Sequence, residues 1–193
     1  MGAVEATRTR WIMAGLAMLM AMTRFHHEGT AFALPDASLA VFFLLGWYSR
    51  SPAVFVGFLL GAFAIDYFAI VHGGVSDYCV TPAYGFLVPT YATMWGAGRW
   101  SQWSRRPAEA LPLLKIAVAL PVAVTLAFII SNGSFFLFSG RLSEAGWVGY
   151  SLGVARDYPA YLFAALMYTG LLLFLDALAR MIPSLESRWA KSK

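Results

Sequence analysis

Long apolar runs separated by short polar segments dominate the hydrophobic pattern of this chain. Several of these runs approach 20 residues, the length that a helix needs to cross the hydrocarbon core of a bilayer. The second run is shorter, so its assignment as a span depends on the topology of the others. The pattern predicts six helical spans, which cover approximately residues 11–25, 37–49, 53–72, 82–97, 111–131 and 159–181.

Turn-forming residues define the ends of several predicted helices. Asp36 is a candidate N-cap for the second helix, Pro52 breaks the chain just before the third, and Pro82 suits the first turn of the fourth. Residues 131–157 are rich in glycine and aromatic side chains and are predicted to form the longest connection. A connection of this length is more typical of a lid or an interfacial segment than of a plain tether.

Composition identifies the class of protein. Hydrophobic residues make up 60% of the chain and charged residues 12%, and the mean hydropathy is +0.65. These values predict an integral membrane protein, and the 193 residues suffice for a single transmembrane domain, 1–193. The net charge is +4, but the basic residues form no stripe with stacking aromatics, so nucleic acid is not a predicted partner. The sequence contains no GxxxxGK[ST] phosphate loop and hence no ATP site of that type.

The distribution of basic residues predicts the topology. With both termini on one side, eleven of the 14 lysines and arginines lie there, and Arg24, Arg141 and Arg156 lie opposite. The positive-inside rule then places both termini in the cytoplasm. The first apolar run also resembles a signal peptide with cleavage before Leu34, but the approach to that site is long and charged, so we expect the run to be retained as a helix.

This topology brings the only cysteine, Cys79, and all three histidines, His26, His27 and His72, to the outer face. Cys79 cannot form an internal disulfide, so it is a small buried hydrophobe, an incidental residue, or a thiolate that acts as ligand or nucleophile. A membrane enzyme or sensor with zinc or a redox thiol at Cys79 and the outer histidines is one hypothesis, although the ligand spacing is loose. A structural subunit in which these residues only pack is another.

Asp66 lies inside the third predicted helix, roughly 9 Å from its outer end. An ionisable residue in a span usually faces a cavity or a partner, so Asp66 could accept hydrogen bonds from ligand amides, pair with a histidine or relay protons. Nearby aromatic residues such as Tyr84 form either an interfacial belt or the wall of a cavity for a large ring. A single thiolate facing such a cavity fits one axial bond to a metal held in an organic macrocycle. Asp176, four residues before Arg180, is predicted to form a structural ion pair.

Two pairs of small residues recur at a spacing of four. Gly57 and Gly61 in the third helix are interpreted as packing residues. Ala17 and Ala21 in the first helix allow close contact either within the bundle, the favoured interpretation, or with a partner protein.

The chain resembles a known family in its length, its Leu34-Pro35-Asp36-Ala37-Ser38 entry to the second helix, its acidic residue in the third, and its Asp77-Tyr78-Cys79 segment followed by Tyr84. These features resemble the BtuM group of bacterial cobalamin transporters, which are S-components of the energy-coupling factor (ECF) type and are often solitary. The resemblance implies an all-α bundle of six transmembrane helices in the bacterial cytoplasmic (inner) membrane, which takes up cobalamin or cobinamide from the outer side.

Residue by residue, the resemblance implies that the Cys79 thiolate ligates the cobalt of a corrinoid bound without its own lower base. It further implies that His27, Asp66 and Tyr84 are cavity residues, although the sequence does not separate His27 from His26. The family is also associated with removal of the upper cyanide ligand, which Cys79 could promote by donating electron density to cobalt.

The resemblance also implies a partner. Ala17 and Ala21 are similar to the small-residue motif with which S-components dock the shared coupling subunit of an ECF transporter and its ATPases. A solitary protein would lack that docking, so the resemblance leaves the energy source of transport open.

Overall fold

The computed structural model describes residues 2–24, 35–78, 80–103, 111–140 and 146–191, and all regular structure in these ranges is helical. The prediction of an all-α protein is thereby confirmed. In chain order the elements are α1 (Gly2–Arg24), α2 (Ser38–Tyr48), α3 (Pro52–Gly73), a one-turn 3₁₀ helix (Pro82–Phe86), α4 (Leu87–Trp103), α5 (Leu111–Phe138) and α6 (Gly146–Lys191).

Three of the described helical segments are long and apolar enough to cross a membrane: Pro52–Gly73, Leu114–Phe138 and Gly146–Met181. The second helix differs, because its 11 residues give a length of roughly 16 Å, about half of a hydrocarbon core. It is too short to cross a bilayer by itself. By the length and hydropathy of its helices, the protein is a helical membrane protein. The number of six membrane crossings stays a prediction.

Helix α2 forms the centre of the bundle. Its side chains are buried without interruption from Ala40 to Trp47, so it has no polar face. Helices α1, α4 and α6 pack around it, and the most extensive contact is with α4. A helix that is hydrophobic all round is typical of a buried element, and α2 is buried by its own chain.

Two glycines bring the backbones of α2 and α4 into direct contact. A Cβ atom placed on Gly46 would lie 2.0 Å from the carbonyl oxygen of Trp95, and one on Gly98 would lie 1.9 Å from that of Phe43. No side chain fits at such distances, so the crossing requires glycine at both positions.

The predicted motif of Gly57 and Gly61 has no such close backbone contact. A Cβ atom on Gly57 would meet no described atom within 4 Å, and one on Gly61 would make an ordinary contact of 3.7 Å with the side chain of Met20 in α1.

Two local predictions about α1 and α2 were wrong. Ala17 and Ala21 are exposed and do not pack inside the described bundle. The N-cap of α2 is Ala37, one residue later than predicted. Asp36 instead accepts hydrogen bonds at Oδ1 from the backbone N–H and the hydroxyl of Ser38, at 2.9 and 2.7 Å, because a short carboxylate can reach the backbone two residues ahead.

The prediction of a long connection over residues 131–157 was also wrong. Helix α5 continues to Phe138, and α6 already begins at Gly146. The polar Ser-Asn-Gly-Ser segment does not end α5, and within the helix the hydroxyl of Ser134 donates to the carbonyl oxygen of Ser131 at 2.9 Å. Residues 141–145 lie outside the described ranges.

Candidate functional site

A cavity of about 580 Å³ lies at the end of the bundle that the charge distribution predicts to be outer. This volume falls in the range of small-molecule sites, roughly 300–1,000 Å³. The wall is mainly apolar and aromatic and includes Leu39, Ile70, Phe128, Phe135 and Tyr161. Its base is polar, and the charged groups there are Arg24 of α1, Asp66 of α3 and Asp36, which precedes α2.

Arg24 and Asp66 form a buried ion pair at the base of this cavity. Nε of Arg24 donates to Oδ1 of Asp66, and Nη2 donates to Oδ2, each at 2.6 Å. Only 4% of the Arg24 side chain and 10% of the Asp66 side chain is exposed. The two parallel bonds match the planar guanidinium to the carboxylate, which is the strongest geometry for such a pair. The contact ties the last residue of α1 to the middle of α3.

The third nitrogen of the Arg24 guanidinium, Nη1, is also hydrogen-bonded. It donates to Oγ of Ser38 at 3.0 Å and to the hydroxyl of Tyr91 at 2.5 Å. The carboxylate of Asp36 lies 3.8 Å from the same nitrogen. Burial of a charge is costly unless it is paired and hydrogen-bonded, and Arg24 meets both conditions through α2, α3 and α4.

Tyr84 extends the network toward the cavity wall. Its hydroxyl donates to Oδ2 of Asp66 at 2.5 Å, and its ring lies 5.4 Å from the ring of Phe63. The 3₁₀ helix that starts at Pro82 places Tyr84 there, and Pro82 occupies the first turn as predicted. The carboxylate thus joins α1, α3 and the 3₁₀ helix at one point.

The structure brings two of the four predicted site residues together, since Tyr84 and Asp66 are hydrogen-bonded and both line the cavity. Cys79 and His27, together with His26, lie outside the described residues. Tyr78 and Val80, the chain neighbours of Cys79, both line the cavity. Arg24 is a charged partner of Asp66, and the predicted pairing of Asp66 with a histidine stays a prediction, because His26 and His27 lie outside the described residues.

Sequence reasoning missed Arg24 and counted it only as a loop charge. A signal for its role was nevertheless present. An acid inside a span requires a partner, and Arg24 stands at the outer end of the first apolar run, on the same side of the membrane as the nearer end of the helix that carries Asp66. The long arginine side chain can reach from a helix end toward the interior, which made Arg24 a candidate partner.

Two other ionisable residues in the described part of the outer end, His72 and Arg156, make their contacts elsewhere. The ring of His72 stacks on Phe68 at 5.7 Å and is exposed, and Arg156 pairs with its exposed neighbour Asp157 at 2.7 Å. Within the described ranges, no group of three or more His, Cys, Asp and Glu residues is arranged to hold a metal ion. A zinc site would therefore need Cys79 and residues outside those ranges.

Comparison with known proteins gives no family. No protein-family model matches the sequence, and no curated protein matches it significantly. The chemistry of the cavity is therefore the basis for a functional proposal.

Proposed function

We propose that this protein binds a corrinoid, either cobalamin or cobinamide, from the outer side of the bacterial cytoplasmic membrane and mediates its uptake. The single observation that carries the proposal is the composition of the cavity wall. Tyr78 and Val80 both line the cavity, and they flank the only cysteine of the chain. A ligand in this cavity would lie next to the segment that supplies the one soft ligand atom expected for cobalt.

In the proposal, the Cys79 thiolate is the axial ligand of the corrinoid cobalt. The macrocycle supplies the equatorial ligands, so the protein needs to contribute one soft donor and no preformed metal cage. A metal ion deprotonates a coordinating thiol, so no neighbouring base is needed for ligation. The corrinoid is the substrate, and its cobalt arrives and leaves with it.

Aromatic and aliphatic surfaces would hold the macrocycle. The rings of Tyr78 and Phe135 lie 5.7 Å apart, and those of Phe128 and Tyr161 lie 5.3 Å apart, all in the cavity wall. Such surfaces bury the faces of a large ring, while a few polar groups fix its orientation.

Asp66 would act mainly by holding the base of the cavity in place. Its carboxylate has about four acceptor positions and already receives two bonds from Arg24 and one from Tyr84. We therefore assign Asp66 and Arg24 to positioning and Tyr84 to the cavity wall, with His27 as a further cavity residue.

The proposal includes six membrane crossings with both termini in the cytoplasm, as the charge distribution predicts. It also includes a coupling subunit with ATPases that docks on α1 through Ala17 and Ala21. The exposure of both alanines supports this part, because they are open to a partner.

Loss of the upper cyanide ligand from bound cyanocobalamin is a further part of the proposal. Sulfur donation to cobalt would weaken the cobalt–cyanide bond, and the cyanide would leave as the anion with both bonding electrons, so the oxidation state of cobalt would not change. A time course of visible spectra with bound cyanocobalamin tests this step, and a cyanide-bound spectrum that never changes would remove it from the proposal.

The main experiment is a visible absorption spectrum of the protein purified with cobalamin, with Cys79→Ala beside the wild type. A matched control is Ser76→Ala, which changes another small residue of the cavity wall. We expect bound corrinoid with a shifted spectrum in the wild type and Ser76→Ala, and an unshifted spectrum in Cys79→Ala. Identical spectra in all three would retain corrinoid binding and exclude ligation by sulfur. Absence of corrinoid from all three would overturn the proposal, and zinc analysis and thiol titration would then test the enzyme or sensor hypothesis.

A further inference from the structure

A second cavity, of about 980 Å³, lies at the opposite end of the bundle. It forms a groove between α1 and α6 whose floor is the end of α2, including Leu44 and Tyr48. The groove exists because α2 ends at Tyr48, whereas both neighbouring helices continue beyond it. We call this feature the α1–α6 groove.

An ion cluster crosses the α1–α6 groove. Asp176 of α6 accepts hydrogen bonds from Nε and Nη2 of Arg180, at 3.2 and 3.0 Å, which confirms the predicted pair. Arg8 of α1 also donates to Asp176. The carboxylate is largely covered, with 13% of the side chain exposed, whereas 48% of the Arg180 side chain and 32% of the Arg8 side chain is exposed.

The cluster contains more donors than its acid can accept. Two guanidinium groups carry ten N–H donors, and one carboxylate offers about four acceptor positions. Arg8 and Arg180 together also carry one more positive charge than Asp176 neutralises. Among the described side chains, the rim of the groove therefore has surplus donors and a net positive charge, which suit a phosphate group.

The walls of the groove are apolar and open toward the surface of the bundle. Leu16 and Leu44 lie at the bottom and are buried, while Leu175 and Trp11 lie on the sides and are exposed. The side chain of Trp11 is 74% exposed, and aromatic residues of this kind prefer the membrane interface. An apolar groove with a charged rim has the chemistry of a site for an amphiphile.

We propose that an anionic phospholipid occupies the α1–α6 groove, with its phosphate at Arg8 and Arg180 and an acyl chain along the exposed walls at Trp11 and Leu175. A soluble anion would leave the apolar walls uncovered, and a neutral lipid would leave the net charge unmatched. Basic pockets between transmembrane helices on the cytoplasmic side are known to bind anionic headgroups, and this is the end that the charge distribution predicts to be cytoplasmic. The inference does not rest on corrinoid binding.

Native mass spectrometry of the full chain, purified in mild detergent and mixed with phosphatidylglycerol or phosphatidylcholine, tests the proposal. We expect the wild type to retain phosphatidylglycerol in preference to phosphatidylcholine. Removing the charges in Arg8→Gln and Arg180→Gln should weaken that retention by about fivefold per arginine. The matched control is Arg156→Gln, which removes an exposed, ion-paired arginine at the other end of the bundle and should retain the lipid as the wild type does.

A second variant tests the groove itself without altering the ion cluster. Gly15 lines the groove, and a Cβ atom there would meet no described atom within 4 Å, so Gly15→Leu should fill groove space without a backbone clash. We expect this variant to fold and to lose the lipid. If Gly15→Leu retained phosphatidylglycerol as well as the wild type does, the placement of the lipid in the groove would be overturned, whether or not the arginine variants fold. Equal retention of both lipids by the wild type would overturn the proposal as well. So would a loss of phosphatidylglycerol in Arg156→Gln as large as the loss in Arg8→Gln and Arg180→Gln.

Discussion

Replacing Arg24 by methionine tests the role of the buried ion pair directly. Methionine retains most of the volume of the arginine stem but removes the guanidinium group. Four hydrogen bonds disappear, two to Asp66 and one each to Ser38 and Tyr91. Asp66 would keep the Tyr84 hydroxyl as a partner but would lose both charge-assisted bonds from Arg24, with 10% of its side chain exposed.

The expected cost of Arg24→Met is about 3–5 kcal/mol of folding free energy, the range for removing one partner of a buried ion pair. For a chain of 193 residues, this corresponds to a fall in melting temperature on the order of 6–20 °C. The double variant Arg24→Met with Asp66→Leu should lose less than Arg24→Met alone, because no buried charge remains without a partner.

Thermal unfolding of the detergent-purified variants, followed by circular dichroism, measures these effects. The matched control is Arg156→Met, which breaks an arginine–aspartate pair on the exposed surface and should leave the melting temperature unchanged within error. An Arg24→Met protein that melts with the wild type would refute the reasoning. The single variant Asp66→Leu completes the comparison. If the fall in melting temperature of the double variant equals the sum of the falls for Arg24→Met and Asp66→Leu, the two charges do not depend on each other.

The remaining predictions concern helix packing and the cavity. Gly46→Ala and Gly98→Ala should each destabilise the protein by at least about 1–3 kcal/mol, because the new methyl group meets a backbone carbonyl oxygen at about 2 Å. Gly57→Ala, in open space, should be neutral or stabilising in the same melting assay, and equal losses at all three glycines would contradict the packing argument. Tyr84→Phe should weaken corrinoid binding severalfold in a titration while leaving the spectrum of the bound ligand unchanged, since its hydroxyl contacts Asp66. A changed spectrum would indicate that Tyr84 acts on the metal.

The sequence predicted the features that depend on local pattern. Helix α3 was predicted at 53–72 and is observed at Pro52–Gly73, because a proline begins it, a glycine in the left-handed conformation follows it, and its apolar run is continuous. The pairing of Asp176 with Arg180 follows from their spacing on one helix face.

Features that depend on contacts between distant segments were not predicted. The Arg24 pairing joins residues 42 positions apart, and spacing along the chain carries no information about it. The close helix crossing uses Gly46 and Gly98 from different helices, whereas the recognisable motif at Gly57 and Gly61 lies within one helix. Helix α5 extends through a polar segment whose residues have low helix propensity, a local preference that tertiary packing routinely overrides, and Ser134 there is buried.

The burial of α2 has a consequence for how the chain is made. A helix of 11 residues with no polar face has little means of fixing its own depth or rotation in lipid, and its main partner, α4, is complete only about 55 residues later. At 5–20 residues per second, synthesis of that stretch takes roughly 3–11 s. During this interval α2 must stay beside α1 and α3 without α4. The close backbone contact at Gly46 can therefore form only after α4 has emerged from the ribosome.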